Sequence, residues 1–284
     1  MDTVALVDRY PNSDERVLAE QIIRSGGGPA SVAAVTLSRL GIKSAIVGTI
    51  GDDEDGRAVL EIFKREGVDT SGVTIQKGAT SGSVIVASKN ESTRAISTRQ
   101  PVSLTKPNEL AKKLAASSKW VHVDHVGINL LQDLGISRGG TVKISFDAGY
   151  GAKDFDVTKV DLFAPNDRQM QERYPGLDLK SAIKKDAEIG SNLVVATMGS
   201  KGSAGYSAET GFAEAPGIKT EIISTLGAGD VFHGALLAQL LEGLSLNEAL
   251  MRANVVAALS CRGLDGQSAI PTKDELNSYL KGAK

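Results

Sequence analysis

The sequence lacks the features that mark secreted and membrane-spanning proteins. Cys261 is the only cysteine among 284 residues, which excludes an intrachain disulfide and fits a reducing compartment. No stretch approaches the ~20 apolar residues that span a bilayer. Residues 1–4 lack the basic and apolar regions of a signal peptide. We therefore expect a cytoplasmic protein with no membrane partner.

An excess of charge of one sign is also missing. The 32 Lys and Arg residues nearly balance the 34 Asp and Glu residues, for a formal net charge of −2. The basic residues form no long run, so the sequence has no electrostatic signature of nucleic-acid binding and we expect no such partner. With 41% hydrophobic residues, the chain can bury a large core.

What the sequence does have is 31 glycines, which cluster at the ends of apolar runs. From about residue 119 onward, short apolar runs alternate with helical patterns. This alternation is typical of a mostly parallel sheet with helices on both faces. The predicted strands are 120–123, 142–146, 160–164 and 193–197, and two helices, 229–242 and 246–261, are predicted to close the chain.

The first third of the chain has a different pattern. Two extended segments, about 3–25 and 80–100, have no helices of their own and predict a small accessory β lid. Between them the pattern indicates helices at 30–40 and 54–65 and a strand at 45–47. We interpret the whole chain, 1–284, as one α/β domain into which the lid segments are inserted.

The clearest functional signal is the sequence STLGAGD at residues 224–230. It follows a strand-like run, 220–223, and opens a long apolar helix. Its glycines allow a sharp turn, and the helix start presents unpaired N–H donors to an anion. The carboxylate of Asp230 would either stabilise the helix start or act as a base beside a bound phosphate, and the pattern alone leaves both open. No Gly-Lys-Ser/Thr follows, so this is not a Walker loop.

Four segments together resemble the ribokinase (PfkB) family of sugar kinases. Residues 224–230 are similar to its second signature, Asp-Thr-x-Gly-Ala-Gly-Asp, and the run GGGPASVAA at 26–34 resembles the glycine pair that opens its first. The segments 48–56 and 197–202 also resemble the family, in the family's order. The likeness covers nearly the whole chain and implies a ribokinase-like, doubly wound α/β fold.

The resemblance implies roles for the residues at the phosphate end of the site. Asp230 would accept the proton of a sugar hydroxyl, while Gly227, Ala228 and Gly229 would form the anion hole for the transferring phosphoryl group. ATP and Mg²⁺ are the implied cofactors. On the nucleotide side the implied residues are Thr197, Gly199 and Gly202 at the phosphates and ribose, and Asn254 near the adenine.

The magnesium site departs from the family pattern. Asn166 corresponds to the Asn of the family's Asn-x-x-Glu, which organises magnesium and its waters, but Gln169 stands in place of the Glu. A neutral amide can still orient a metal-bound water, so we expect weaker metal affinity. From the residues alone, Asn166 is an ordinary turn residue after Pro165. Ser224 replaces the Asp that helps to bind a monovalent cation in the family, which argues against potassium activation.

At the sugar end, Asp2 corresponds to the family's Asp that binds sugar hydroxyls, and Gly27 and Gly28 correspond to its glycine pair. Family members have an apolar strand before that Asp, so we expect that the start was shortened or assigned too late. Pro29 and Val32 stand where ribose- and fructose-binding members carry polar side chains. The sugar is therefore not expected to be held as ribose is.

The runs GGGPA and GAGDVFHGA most resemble the branch that phosphorylates 6-deoxy-6-sulfofructose. In that branch a basic lid residue holds the sulfonate, and Arg16 occupies a similar place. Arg94 and Arg99 are further candidates, because a guanidinium offers paired donors to an anion. Arginines on an exposed sheet are ordinarily solvated, which is the competing interpretation.

The three histidines carry weaker signals. His125 either faces the sugar or is a loop residue without a role. His122 is expected to pack in the core. His233 is expected on the surface of its helix or behind the site.

The expected function is ATP-dependent phosphorylation of a ketohexose or anionic sugar such as 6-deoxy-6-sulfofructose. One alternative is a kinase for fructose, a 2-keto-3-deoxy sugar acid or a nucleoside. Tyr10 is the only aromatic residue in 3–25, and 80–100 has none, which argues against stacking a nucleobase. Another alternative is a sugar-binding protein without turnover, against which the retained Asp230 argues. The open edges of a small lid sheet predict a homodimer through the lid.

Overall fold

The computed structural model describes residues 1–91, 93–99, 102–149 and 151–282. Two residues of the predicted lid segment 80–100, numbers 92 and 100, lie outside the described residues. The strands are β1 (Asp2–Val7), β2 (Ala19–Ser25), β3 (Ala45–Gly51), β4 (Asp69–Gln76), β5 (Gly82–Ser88), β6 (Thr93–Arg99), β7 (Trp120–Val123), β8 (Lys143–Asp147), β9 (Leu162–Ala164), β10 (Leu193–Thr197), β11 (Gly202–Ser207) and β12 (Gly211–Pro216).

The helices cover both faces of the main sheet. They are α1 (Pro29–Arg39), α2 (Glu54–Arg65), α3 (Glu109–Ser117), α4 (Asp167–Arg173), α5 (Leu179–Ile189), α6 (Ala228–Leu241), α7 (Leu246–Ser260) and α8 (Lys273–Gly282). Within the described ranges, every helix is too short or too polar to cross a membrane.

The main sheet has six strands in the order β12-β11-β10-β9-β8-β7. The four strands β7 to β10 are parallel, and β11 and β12 form an antiparallel hairpin at one edge. The strands β3 and β4 form a separate parallel pair. The predicted α/β class, with a mostly parallel sheet and helices on both faces, is confirmed.

Both faces of the sheet are buried, as its apolar strands require. In β10, Val195 faces a core built from α1, α6 and α7, whereas Val194 and Ala196 face a second core built from α3, α4 and α5. Because successive side chains of a strand point to opposite faces, one strand supplies both cores. The carboxyl ends of β8, β9 and β10 are thereby fixed at one edge of the sheet.

The helices α1 and α6, which begin at the two glycine-rich segments, pack directly on each other. A Cβ at Gly234 in α6 would lie 2.6 Å from the carbonyl oxygen of Ala33 in α1, so only glycine permits this approach. Gly28, at φ 93°, precedes α1, and Pro29 occupies its first turn. The close packing brings the starts of the two helices into one region.

The lid is a four-stranded sheet in the order β2-β1-β5-β6, as the two extended segments predict. Val4, Leu6, Ile85 and Ala87 form its buried side, and they pack with Leu264 of the α/β body. Register places Asp2 and Arg94 on this same side, and Arg99 on the opposite side. The lid therefore has an apolar side packed on the body and an opposite side from which Arg24 and Arg99 reach Asp55 of α2.

Several details of the sequence prediction were wrong. The strand-like run 220–223 lies in a loop, where Ile222 and Ile223 are largely exposed. The hairpin β11–β12 and the strand β4 were missed, since their many Gly, Ser and Thr residues give no clear apolar run. A third helix, α8, follows the two that were predicted to close the chain. Its mostly polar sequence has only Leu276 buried, which explains why its pattern is weak.

Candidate active site

The start of α6 is built around two glycines with different surroundings. Gly227 lies in the left-handed region at φ 75°, and a Cβ there would lie 2.7 Å from the Cα of Gly266. At Gly229 an added Cβ would meet nothing within 4 Å. The turn at Gly227 thus requires glycine for conformation and packing, whereas Gly229 leaves the helix start open to a ligand.

Asp230 lies in the first turn of α6, one residue beyond this opening. Burial and, after it, the negative charge of Asp147 raise the pKa of its carboxyl to about 7, against the opposing charge of His233. A carboxyl group with this pKa is ionised in a large fraction of molecules at neutral pH and can also hold a proton there. These are the properties of a general base.

Asp147, at the end of β8, and His233, one turn beyond Asp230 on α6, form a buried ion pair. The Nδ1 atom of His233 lies 2.9 Å from Oδ2 of Asp147. Burial alone would raise the pKa of Asp147, but the contact with His233 and smaller contributions that include the N–H of Gly149 together outweigh burial and hold that pKa well below its usual range. Burial opposes the charge on His233, yet Asp147 raises the pKa of the imidazole. Asp147 is therefore ionised at neutral pH, and its charge favours the protonated form of His233.

His122 on β7 lies beside this pair. Its ring centroid is 5.9 Å from that of His233, and its Nδ1 is 3.0 Å from Oγ of Ser145. Burial lowers the pKa of His122 to about 4, so it is neutral. Among the described residues, one nitrogen or oxygen from each of His122, Asp147 and His233 comes within 4.8 Å of the others.

This cluster has the residue types of a metal site but not its spacing. Ligands bonded at about 2.0–2.1 Å around a tetrahedral metal lie about 3.3 Å apart. The 2.9 Å contact between His233 and Asp147 is shorter than this tetrahedral spacing. The contact is instead that of an ion pair between a carboxylate and an imidazolium.

The predicted nucleotide-side residues lie together at the carboxyl ends of the parallel strands. Thr197 ends β10 and forms an isolated parallel bridge with Asn166. Gly199, at φ 56°, has open space beside it. Gly202, at φ 105°, begins β11, where a Cβ would lie 2.1 Å from the carbonyl oxygen of Ala215. The edge of the sheet at which ligands bind in open α/β folds is therefore formed by these residues.

Asn166 and Gln169 form a capping box at the start of α4. The side-chain oxygen of Asn166 accepts the N–H of Gln169 at 2.9 Å, and that of Gln169 accepts the N–H of Asn166 at 2.7 Å. The Gln169 amide also donates to the carbonyl of Gly149. Each side-chain oxygen keeps one lone pair, so the two residues fit a magnesium ion held through water.

Asn254 supports the end of β12. It is buried, and its amide nitrogen donates to the carbonyl oxygens of Ala215 and Pro216, each at 3.1 Å. Its donors thus fix the strand end that packs on Gly202. Its expected place near the adenine stays a prediction.

At the other end of the site, Asp2 and Gly27 lie in contact. A Cβ at Gly27 would lie 1.9 Å from Oδ2 of Asp2, so glycine is needed for the carboxylate to approach. Burial raises the pKa of Asp2. Gly28 supplies the left-handed turn that starts α1 beside them. The structure therefore brings together the predicted sugar-binding residues Asp2, Gly27 and Gly28.

The three candidate arginines have different surroundings. Arg94 reaches the body, where its guanidinium donates to the hydroxyl oxygen of Thr225 at 3.2 Å. Arg99, on the far side of the lid, is paired with Asp55 at 3.0 Å and also contacts Asp53 at 3.7 Å. Arg16 is exposed in the loop between β1 and β2. Of the three, only Arg94 makes a described contact with the phosphate-end loop.

The sequence did not single out Asp147, and it placed His233 on the helix surface or behind the site. The helix-surface alternative is wrong, because His233 is buried against Asp147. Two signals were available for the pair. Asp147 ends a parallel strand, and His233 follows Asp230 by three residues and so shares its helix face. His122 is partly buried, and His125 lies close to Gly149.

The chain is similar in sequence to known proteins over nearly its whole length. Residues 1–273 match the sequence profile described as pfkB family carbohydrate kinase. The chain is 28% identical to a ribokinase of Lactococcus lactis, over 99% of this chain and 94% of the relative. It is 27% identical to a fructokinase of Solanum tuberosum, over 98% of this chain and 93% of the relative.

A solved structure also has this fold. The ribokinase of Arabidopsis thaliana, complexed with ribose and ATP, superposes with a TM-score of 0.81. The match covers 99% of this chain and 95% of that one, at 19% identity. At this identity the likeness establishes the shared fold.

Proposed function

The chain belongs to the pfkB family of carbohydrate kinases, which are phosphotransferases with a hydroxyl acceptor, and from this premise we propose that its acceptor is an anionic ketohexose such as 6-deoxy-6-sulfofructose. One observation carries this proposal. Arg94 of the lid contacts the loop that begins α6, on the side of the lid that also carries Asp2. A cationic group thus stands in the space between lid and body.

Asp230 would act as the base. The acceptor hydroxyl oxygen would bond to the γ-phosphorus of ATP, its proton would pass to Asp230, and the bond to the bridging oxygen would break to release ADP. The backbone at Gly227, Ala228 and Gly229 would hold the oxygens of the transferring group, because the helix start attracts anions. The open space beside Gly229 supports this role.

ATP would lie along the carboxyl ends of the parallel strands. Thr197, Gly199 and Gly202 would line its phosphates and ribose, with Asn254 holding that surface from behind. Asn166 and Gln169 would hold magnesium through water. The ion supplies charge neutralisation on the transferring phosphate when it is bound.

The sugar would lie between lid and body. Asp2 would bind its hydroxyls, with Gly27 and Gly28 giving the backbone room. Register separates the backbone of Asp2 from that of Arg94 by four residues along the strands, roughly 13 Å, and by two strand spacings across the sheet, roughly 9.5 Å. The two side chains would reach from these positions toward a sugar between them, with its hydroxyl-bearing part near Asp2 and its charged substituent near Arg94.

The lid would also pair with a second copy of this chain. On the opposite side of the lid sheet, Ile22 and Val84 are 67% and 58% exposed, and in the sheet register they pair with Ala5 and Thr3 of the strand between them. Exposed apolar side chains grouped in this way mark an interaction surface. Light scattering at micromolar concentration should give a dimer mass, and Val84→Lys should give a monomer; a monomeric wild type contradicts the pairing.

The acceptor is tested by ADP release with ATP and magnesium against 6-deoxy-6-sulfofructose, fructose, fructose 6-phosphate, 2-keto-3-deoxygluconate, ribose and adenosine. We expect the highest kcat/KM for an anionic sugar. Preference for neutral fructose or ribose, the sugars named by the two relatives, would refute the anionic acceptor but keep the kinase. ATP binding with no ADP release from any compound would favour a sugar-binding protein without turnover.

A further inference from the structure

Two further charged side chains lie near the proposed base Asp230 at the start of α6. Asp230 and His233 are three residues apart and share one helix face, and Asp147 approaches that face from the end of β8. Asp147 contacts His233 at 2.9 Å, and the charges of both residues act on the Asp230 carboxyl. Asp230, Asp147 and His233 are thus one electrostatically coupled group, here called the row.

A structural role alone explains this row poorly. A buried ion pair contributes little net stability, because removing two charges from water costs about as much as their attraction returns. A pair of apolar side chains would fill the same volume without that cost. The ion pair of Asp147 and His233 lies near the proposed base, where a charge alters the protonation of Asp230. This location points to a role in the reaction.

We propose that Asp147 and His233 are positioning residues, which set the electrostatic environment in which the Asp230 carboxyl takes up the acceptor proton. The inference rests on the proposed role of Asp230 as base. Asp147 acts on that carboxyl through its negative charge. His233 keeps Asp147 charged and in place, while Gly149 donates its N–H to the other oxygen of Asp147 at 3.1 Å.

The two partners act on Asp230 with opposite signs. The negative charge of Asp147 favours the protonated base, and the positive charge of His233 favours the ionised base. Asp124, after β7, adds a smaller negative contribution. The other neighbours of the row are His122, which is neutral, and His125, which lies near Gly149.

The first test uses these opposite signs. It measures kcat/KM for the preferred acceptor against pH and locates the acidic limb, the pH range in which kcat/KM falls as Asp230 is protonated. Asp147→Asn should move the limb to lower pH, and His233→Gln should move it to higher pH, each by roughly half a unit or more. His122→Gln, the matched control, should leave it unmoved, because that ring is neutral. If both Asp147→Asn and His233→Gln lower the rate but leave the acidic limb at its wild-type pH, the proposal is overturned and the two residues serve packing alone.

A second test needs no acceptor. The chain has only three histidines, so each imidazole can be followed by NMR as the pH of the ligand-free protein is raised. The His233 ring should stay protonated to higher pH than a free histidine, and Asp230→Asn should lower its titration point, because the Asp230 charge supports the cation. An unchanged His233 titration in Asp230→Asn would refute the coupling.

The two tests separate this inference from the proposed function. If Asp230→Asn keeps its turnover, the proposed base is wrong, whatever the histidines show. If Asp230→Asn is inactive but the limb and the His233 titration do not respond, only the positioning role is wrong. Circular dichroism and thermal melting of each variant identify any that fail to fold, and the NMR titration of His233 in Asp230→Asn does not depend on Asp147→Asn folding.

Discussion

The two ends of the candidate site are built by different means. At the phosphate end, the anion site is backbone at the start of α6, a helix with nine buried residues held between α1 and α7. At the sugar end, the candidate groups are side chains on a lid whose outer strand β6 is exposed along its whole length. The first is fixed by the core, and the second depends on how the lid lies.

This difference sets how each end tolerates change. A backbone site is altered only by substitutions that move the chain or fill the space above it. A side-chain site is altered by any change of the charged group itself. The phosphate end should therefore give large, nearly all-or-none effects, and the sugar end graded effects that depend on which sugar is offered.

The largest effect should come from Asp230→Asn. The amide cannot accept the hydroxyl proton, and general-base help is worth roughly 10²–10⁴-fold. We expect turnover to fall at least about a hundredfold, with ATP affinity by calorimetry little changed. Near-normal turnover would show that Asp230 only stabilises its helix.

Next in size is a comparison of the two glycines of the anion site. Gly229→Ala puts a methyl group into open space and improves helix propensity, so the melting temperature should hold or rise while turnover falls about tenfold or more. Gly227→Ala should instead lower the melting temperature by several degrees, because φ 75° and the contact with Gly266 both oppose a side chain.

The outcome of this glycine pair discriminates sharply. Full activity in a stable Gly229→Ala protein would contradict the placement of the transferring phosphate there. Equal loss of stability in both variants would show that the two glycines serve the fold in the same way.

A graded effect is expected from two arginines of the same strand. Arg94→Gln should raise KM for the anionic sugar about tenfold and leave KM for a neutral sugar unchanged. Arg99→Gln is the matched control, since the side chain of Arg99 leaves the opposite side of the lid sheet and is paired with Asp55 of α2. If Arg94→Gln lowers kcat with both sugars, Arg94 acts on the phosphoryl group. That result would contradict its role in binding the anionic substituent of the sugar.

The smallest effect concerns stability. The pKa of Asp230 is raised from 3.8 to about 7 in the folded protein, so its ionisation opposes folding as pH rises through that window. Asp230→Asn removes this cost, and its melting temperature should exceed that of the wild type by roughly 5 °C at pH 8. The difference should vanish well below pH 3.8, where the carboxyl is protonated in both the folded and the unfolded state. Equal melting temperatures at pH 8 would contradict the raised pKa.

The same contrast explains what could be predicted from the sequence. The phosphate end depends on local sequence, because a glycine turn followed by an apolar helix is visible in residues 224–236. The strand pattern of β8 and β10 was visible for the same reason. Buried parallel strands read as apolar runs whatever their partners.

The rest depends on long-range contacts. Nothing in the sequence around Arg94 and Arg99 tells which side of the lid each occupies, since a shift of one residue in strand register exchanges them. The pairing of Asp147 with His233 joins residues 86 positions apart. The loop at 220–223 was predicted as a strand because an apolar pair, Ile222 and Ile223, is ambiguous without its neighbours.

The most direct test of the account is product analysis by ³¹P NMR, with ATP, magnesium and the acceptor that gives the highest kcat/KM. We predict one new phosphomonoester per ADP formed by the wild type, and at least about a hundredfold less in Asp230→Asn under the same conditions. ADP accompanied only by inorganic phosphate, or equal product from both proteins, would contradict a kinase in which Asp230 at the start of α6 is the base.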